Sequence, residues 1–214
     1  MSELLFNELP RPTFRWLRVN HTVSSLAGED TAVQSIAVEA NKNILSPLPV
    51  GTALLDGNYE GANKEAVHVL VEKAEGYAIN VPPKAKEVVG IRIDANARVA
   101  NRFQFIVGEG AELEVQFYVT GSGDALTNVS YLNEYDVKEA GKVVVKKVNL
   151  LPEHVQHIEH RYTKLEEKAD VEYINIEIGG SENILNYYHD LVGQESRMVH
   201  DIAYLGNKEQ KFDI

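Results

Sequence analysis

The sequence predicts an all-β protein built as an array of stacked two-strand units, and three observations carry that reading. A small residue, any residue and an apolar residue open a strand-like run at Ala111-Glu112-Leu113, Gly141-Lys142-Val143, Ala169-Asp170-Val171 and Ser196-Arg197-Met198, with starts 30, 28 and 27 residues apart. Units repeating at so constant a period stack on one continuous core, because none buries its apolar face alone. Within the clearest unit Leu113, Val115, Phe117 and Val119 alternate with Glu112, Glu114, Gln116, Tyr118 and Thr120, which is the period of a strand and not of a helix. Helix signals are confined to residues 1–9 and 164–170, both too short to hold in water alone. Periodicity by itself leaves a β-sandwich open, since sandwich strands recur as evenly.

Taken in order, residues 1–64 read as an N-terminal arm with short strands and loops, and residues 65–214 as the array. Pro10 and Pro12 hold Leu9 and Arg11 extended, and Phe14, Trp16 and Leu17 are read as an arm laid on the domain's own core; the competing reading is a docking segment that presents Trp16 between Arg15 and Arg18. Short strands are expected at 32–38 and 52–55, followed by Asp56-Gly57, a hairpin-turn dipeptide. Residues 66–71 and 77–81 are strand candidates, the second ended by Pro82-Pro83 because proline cannot donate to a ladder, and 88–93 leads into the array. Val99, Phe103, Phe105 and Val107 keep strand parity with Asn101 as its one break, and Gly108-Glu109-Gly110 separates them from the next strand. In the third unit the apolar parity passes from Tyr173 to Ile174, Ile176 and Ile178, as at a bulge or corner.

At 214 residues the chain is long enough to bury a sizeable core. Its 32 acidic against 21 basic residues give a net charge of -11, which repels phosphate backbones and anionic lipid and argues against nucleic-acid and membrane partners. No apolar run approaches the ~18 residues that span a bilayer, and the start has no apolar signal region, so a cytoplasmic location is expected. There is no cysteine, which removes disulfides, thiol nucleophiles and thiolate ligands for an iron–sulfur cluster or structural zinc.

Candidate chemistry centres on histidines. His154, His157 and His160 are spaced by three; on a helix they would converge on a metal, whereas on a strand His157 faces away from the other two. The strand-like surroundings favour partly exposed histidines at a sheet edge or corner, so the three remain weak metal candidates. His189-Asp190 and His200-Asp201 look like a base with its orienting carboxylate, but strand neighbours point to opposite faces, so neither pair is its own dyad. Nucleotide motifs fail: around Gly141-Lys142, Asp136 stands where a phosphate loop needs its first glycine and Val143 where it needs a hydroxyl.

Several stretches together resemble one family. Residues 9–20 (Leu9-Pro10-Arg11-Pro12-Thr13-Phe14-Arg15-Trp16-Leu17-Arg18-Val19-Asn20), Leu151-Pro152-Glu153-His154-Val155-Gln156-His157-Ile158-Glu159-His160-Arg161, Ala169-Asp170-Val171-Glu172-Tyr173 followed by Ile178-Gly179-Gly180 and, most strongly, Asp190-Leu191-Val192-Gly193-Gln194-Glu195-Ser196 with Ala203-Tyr204-Leu205-Gly206-Asn207-Lys208-Glu209-Gln210-Lys211-Phe212-Asp213 resemble the SufB/SufD scaffold proteins of the Suf iron–sulfur cluster assembly system, SufD-like members in particular. The resemblance implies a right-handed parallel β-helix, with the 27–30 residue period as two-strand rungs. It also implies a non-catalytic scaffold that pairs with a SufB-like subunit, or with itself, and works with SufC, an ABC-type ATPase. No cofactor is then expected on this chain alone, the cluster being handled by the complex. The family's helical ATPase-docking region, with the histidine or cysteine near it, falls beyond Ile214, so those roles are carried to no residue here. A strand-like run to Ile214 without a polar cap suggests a chain that is truncated or completed by a partner. The missing cysteine fits a SufD-like helper better than the SufB-like subunit that holds the cluster. Two alternatives stand beside this reading: a carbohydrate-active β-helix or β-sandwich protein with converging carboxylates in a groove, and a histidine-based metal-binding module.

Overall fold

A computed structural model describes residues 3–6, 22–25, 36–55, 64–96, 98–122 and 127–214. The Trp16 segment and the Asp56-Gly57 turn lie outside them. In chain order the elements are β1 (Glu3–Phe6), β2 (Thr22–Ser25), β3 (Ile36–Glu39), β4 (Leu45–Leu48), α1 (Lys64–Lys73), β5 (Gly76–Val81), β6 (Lys86–Asp94), β7 (Val99–Val107) and β8 (Glu112–Thr120). There follow β9 (Thr127–Val137), β10 (Lys142–Asn149), β11 (Val155–Leu165), β12 (Asp170–Glu177), β13 (Glu182–Leu191), β14 (Arg197–Tyr204) and β15 (Lys211–Asp213). From β5 onward the strands go alternately to two sheets, ordered β14-β12-β10-β8-β6-β3 and β15-β13-β11-β9-β7-β5-β4. Pairing along each sheet is parallel except at β3 and β4, which join antiparallel. The result is a β-solenoid of about five turns, not a sandwich. β1 and β2 form a separate antiparallel pair.

The repeat in the sequence is the register of the sheet. Leu113, Val143, Val171 and Met198 are successive ladder partners. Lys86 pairs with Glu112, so Ala85-Lys86-Glu87 opens a further turn of the same kind, hidden in the sequence because Glu87 replaces the apolar residue. Before each small residue the chain makes the same corner. Lys84, Gly110, Ala140, Lys168 and Glu195 all have positive φ, between 54° and 62°. The amides of Ala85, Ala111, Gly141, Ala169 and Ser196 each return to the carbonyl three residues earlier. That is a turn with a left-handed third residue. A side chain is disfavoured at Gly141, since a Cβ there would sit 2.9 Å from Val137 Cγ1 and from Lys138 O.

Inside the first turns the core is apolar. Val89, Ile91, Phe103, Phe105, Val115, Phe117, Tyr131 and Tyr135 are buried together, with Phe105 stacked on Tyr135 at 4.5 Å between ring centres and Phe117 on Tyr131 at 6.0 Å. The outer face of the seven-stranded sheet is also covered. Val67, Leu70, Val71 and Ala74 of α1 and its end pack on Leu132 and Tyr162, while Phe6 and Ala66 meet Ile158 and Ile184. Arg102, buried on this outer face, donates from Nε to Ala74 O (3.0 Å), from Nη2 to Pro49 O (2.8 Å) and from Nη1 to Thr52 O. It thereby ties the end of the helix and the 49–55 segment to β7, and uses carbonyls that a helix end leaves free.

Several expectations are corrected. Residues 66–71 are helical, within α1, because burial falls at Ala66, Val67, Leu70, Val71 and Ala74, a helical spacing that a valine-rich run disguises. Residues 3–6 are strand β1 and residues 166–169 are a turn, so neither helix signal is realised. Residues 52–55 form no strand. The slip at Tyr173 is no bulge: β12 stays in unbroken register with β10, Asn175 and Glu177 continue inward, and Ile174, Ile176 and Ile178 point outward.

Candidate functional site

The inward turn of Asn175 and Glu177 belongs to a polar layer that fills the later turns of the solenoid. Strand parity sends His157, Glu159, Arg161 and Thr163 of β11 inward, together with Lys147 and Asn149 of β10, Asn133 of β9 and Asn183 of β13, all buried. Lys147 Nζ lies 2.6 Å from Glu159 Oε2 and 2.6 Å from Glu177 Oε1, while Arg161 Nη2 reaches Glu159 Oε1 at 2.7 Å. Asn133 Nδ2 donates to Glu159 Oε1 (2.9 Å) and Asn149 Nδ2 to Glu177 Oε2 (3.1 Å). Two carboxylates are thus set against two cations. Burial raises the affinity of Glu159 for a proton, but Arg161 and Lys147 outweigh it and hold the carboxyl far below its usual range.

His157 is held in the same layer, with Nε2 3.1 Å from Tyr131 OH and Nδ1 3.1 Å from Asn149 Nδ2. Burial, then the Lys147 charge, depress its pKa to about 3, so it is neutral at pH 7. His160 faces the other way, stacked against Phe6 at 6.4 Å between ring centres, and burial lowers its pKa to about 4. His154 precedes β11 in a turn. The expectation of partly exposed histidines at a sheet edge is therefore corrected for His157 and His160. β11 sits between β9 and β13, and both residues are fully buried, one by the polar layer and one by the outer cover.

The solenoid brings together two histidines that the sequence keeps apart. His189 of β13 and His200 of β14 turn inward, 6.2 Å between ring centres, while Asp190 and Asp201 are exposed on the opposite faces. Tyr173 lies 5.4 Å from each imidazole, and Tyr187 lies 4.7 Å from His200. Arg161 is flanked by the same two tyrosines, 4.2 and 4.4 Å from their ring centres. Burial, then Arg161, lower the pKa of His189 to about 3 and of His200 to about 4. Nothing short of the three-dimensional rung relates positions 189 and 200, because they meet across the interior from two different sheets. Two imidazoles are too few to hold a metal alone, and no group of three or more histidines, cysteines or carboxylates fit to hold one occurs among the described residues. In this layer Glu159 and Glu177 are paired with Lys147 and Arg161, and burial lowers the pKa of each histidine. The arrangement can cement the turns.

Residues 91–214 match the family model described as "SUF system FeS cluster assembly, SufBD core domain". The chain belongs to the SufB/SufD family. Neither a curated protein nor a solved structure matches it. The SufBD core match runs from within β6 to the last residue and takes in the whole polar layer. Membership places the chain in iron–sulfur cluster assembly, in a family that generally serves as scaffold rather than catalyst. Among the described residues no helix of this SufBD protein is long and apolar enough to cross a membrane.

Proposed function

We propose that this chain is the SufD-like, non-catalytic scaffold of an iron–sulfur assembly complex, pairing with a SufB-like subunit and working with a SufC-like ABC-type ATPase in the cytoplasm. The observation that carries the reading is the absence of cysteine from the sequence. A nascent cluster is held by thiolates in most of its known settings, and this chain has none to offer. The buried carboxylates of its polar layer, Glu159 and Glu177, are already committed to Lys147 and Arg161. Its share of the work is shape: a rigid solenoid against which a thiolate-bearing partner is held while ATP turnover in the third subunit remodels the pair. The cluster is cargo passing through the complex, not a resident group of this chain.

The test mixes the full chain with its cognate SufB-like and SufC-like subunits and follows mass by size-exclusion chromatography with light scattering. Co-elution with the SufB-like subunit is expected, and iron and sulfide should yield a cluster chromophore only when that subunit is present. A folded chain that bound neither subunit, or that built the chromophore alone, would overturn the proposal.

A further inference from the structure

Toward the last turn of the solenoid the polar layer ends in groups whose hydrogen-bonding capacity is not used. Arg161 is fully buried, with Nη2 on Glu159 and its guanidinium over the rings of Tyr173 and Tyr187. Its Nε and Nη1 have no hydrogen-bond partner among the described residues, and neither have the two ring nitrogens of His189 or Nε2 of His200. Register sets these groups on neighbouring strands: Tyr187 is the ladder partner of Arg161, His189 of Thr163 and His200 of Tyr173. Tyr173 is their common wall, with the guanidinium carbon 4.2 Å and both imidazoles 5.4 Å from its ring centre. Buried donors in folded proteins are met by protein, ordered water or an ion, and a charged donor is the costliest to leave bare.

We propose that Arg161, His189 and His200 form a site for a small monovalent anion of the halide class, which binds together with a proton. The guanidinium offers donors only, and its charge turns cations away. The four charges of the layer, Lys147 and Arg161 against Glu159 and Glu177, already cancel, so an anion entering alone would be a buried charge without compensation. A proton taken up by one imidazole supplies it. The charged and titratable groups facing the two imidazoles are Glu159 and Arg161 of β11, Lys147 of β10, Tyr173 and Glu177 of β12 and Tyr187 of β13. Burial, then Arg161, keep both imidazoles neutral, and an anion beside the guanidinium offsets its repulsion of that proton. Imidazole ring centres 6.2 Å apart admit an ion little larger than water and exclude a phosphate or an organic acid. Tyr187, His189 and His200 are only half-buried, so the ion enters from the last turn, and once bound it ties β13 and β14 to Arg161. Nothing in the site depends on which subunit the chain pairs with, and its test is separate from complex formation.

Thermal unfolding of the full chain in sodium chloride, compared with sodium gluconate at equal ionic strength, tests the site, because only the anion differs. At pH 6, raising chloride from roughly 10 to 200 mM should lift the melting midpoint by about 3 °C over the gluconate series and then saturate. That excess should shrink as the pH rises to 7.5, since the proton is taken up with the ion. His189→Phe combined with His200→Phe keeps a ring at each half-buried position and should abolish the excess, with circular dichroism confirming that the variant is folded. Crystals of the parent chain grown in sodium bromide should show anomalous density beside Arg161 Nε and Nη1, a readout that needs no variant. Equal midpoints in chloride and gluconate, an excess that the folded double variant retains, or one that does not change with pH would each overturn the proposal. So would bromide density confined to the protein surface.

Discussion

Lys147 bridges two fully buried carboxylates, and burial likewise holds neutral the histidines on both faces of β11. His157 and His160 are fully buried, with pKa values lowered from 6.5 to about 3 and about 4. A depressed histidine makes the unfolded state the better proton acceptor below pH 6.5. Stability is then complete above that pH and falls as the pH drops toward the folded-state values, by about 1.4 kcal/mol per pH unit for each such histidine well below 6.5. Glu159 acts in the same direction at more acid pH, where its folded-state carboxylate resists protonation longer than the unfolded one. Urea unfolding between pH 7.5 and 5 should show this loss. His160→Phe, which keeps an aromatic ring against Phe6, should remove about one proton's worth of the slope; an unchanged slope would mean that His160 is hydrated in the folded protein. At this scale strand parity was legible, since a period of two already sets His157 opposite His160. The covering of both faces was not, because it depends on Phe6 from the start of the chain and on Lys147 and Asn149 of the neighbouring sheet.

At the scale of elements, the five repeated corners explain why the repeat begins with a small residue, and they also expose a flaw. Ala140 holds φ at 54° without a polar side chain to help it, a conformation that disfavours any L-residue by about 1–2 kcal/mol. Ala140→Gly should stabilise the protein by up to about 1 kcal/mol once the extra flexibility of the unfolded chain is subtracted. Ala140→Val should destabilise it, since a β-branched residue suits that region least. Thermal melts of the two variants on either side of the parent check the assignment, and a lower melting temperature for the glycine variant would contradict it. The strands from Leu113 to Val119 were legible because every inward residue there is apolar. The inward Asn175 and Glu177 inverted the hydropathy signal of β12 without moving a single strand, so a buried polar layer passed for a bulge. β4 went unseen because it contains Pro47, which is tolerated only at a sheet edge. α1 was lost to its valines.

Across the whole molecule the interior changes character along the solenoid axis. Phenylalanines and aliphatic residues fill the turns around β5 to β8, and charges, amides and histidines fill those around β10 to β14. Because each turn touches only its neighbours, stability in such an array is a sum of local terms, and the turns differ in how completely they are covered. Inward residues of β8 are buried, whereas Met198, His200 and Ile202 of β14 are only half-buried. Amide hydrogen exchange should therefore be slowest in β7 to β11 and fastest in β14 and β15; uniform protection through the last turn would show that the array opens only as a unit. The period of 27 to 30 residues made the stacking legible, while the division into two sheets, one covered by α1 and the other uncovered among the described residues, was not.

The two ends of each sheet are unlike. At one end stand β3 and β4, four residues each, running against the direction of every other strand in their sheets, with Pro47 lacking the amide that a newcomer would need. A solenoid that presented matching parallel edges at both ends would polymerise head to tail without limit. Here the starting end is a full stop: an incoming strand would meet short strands that run the wrong way and, at Pro47, a missing amide, so head-to-tail growth is blocked there.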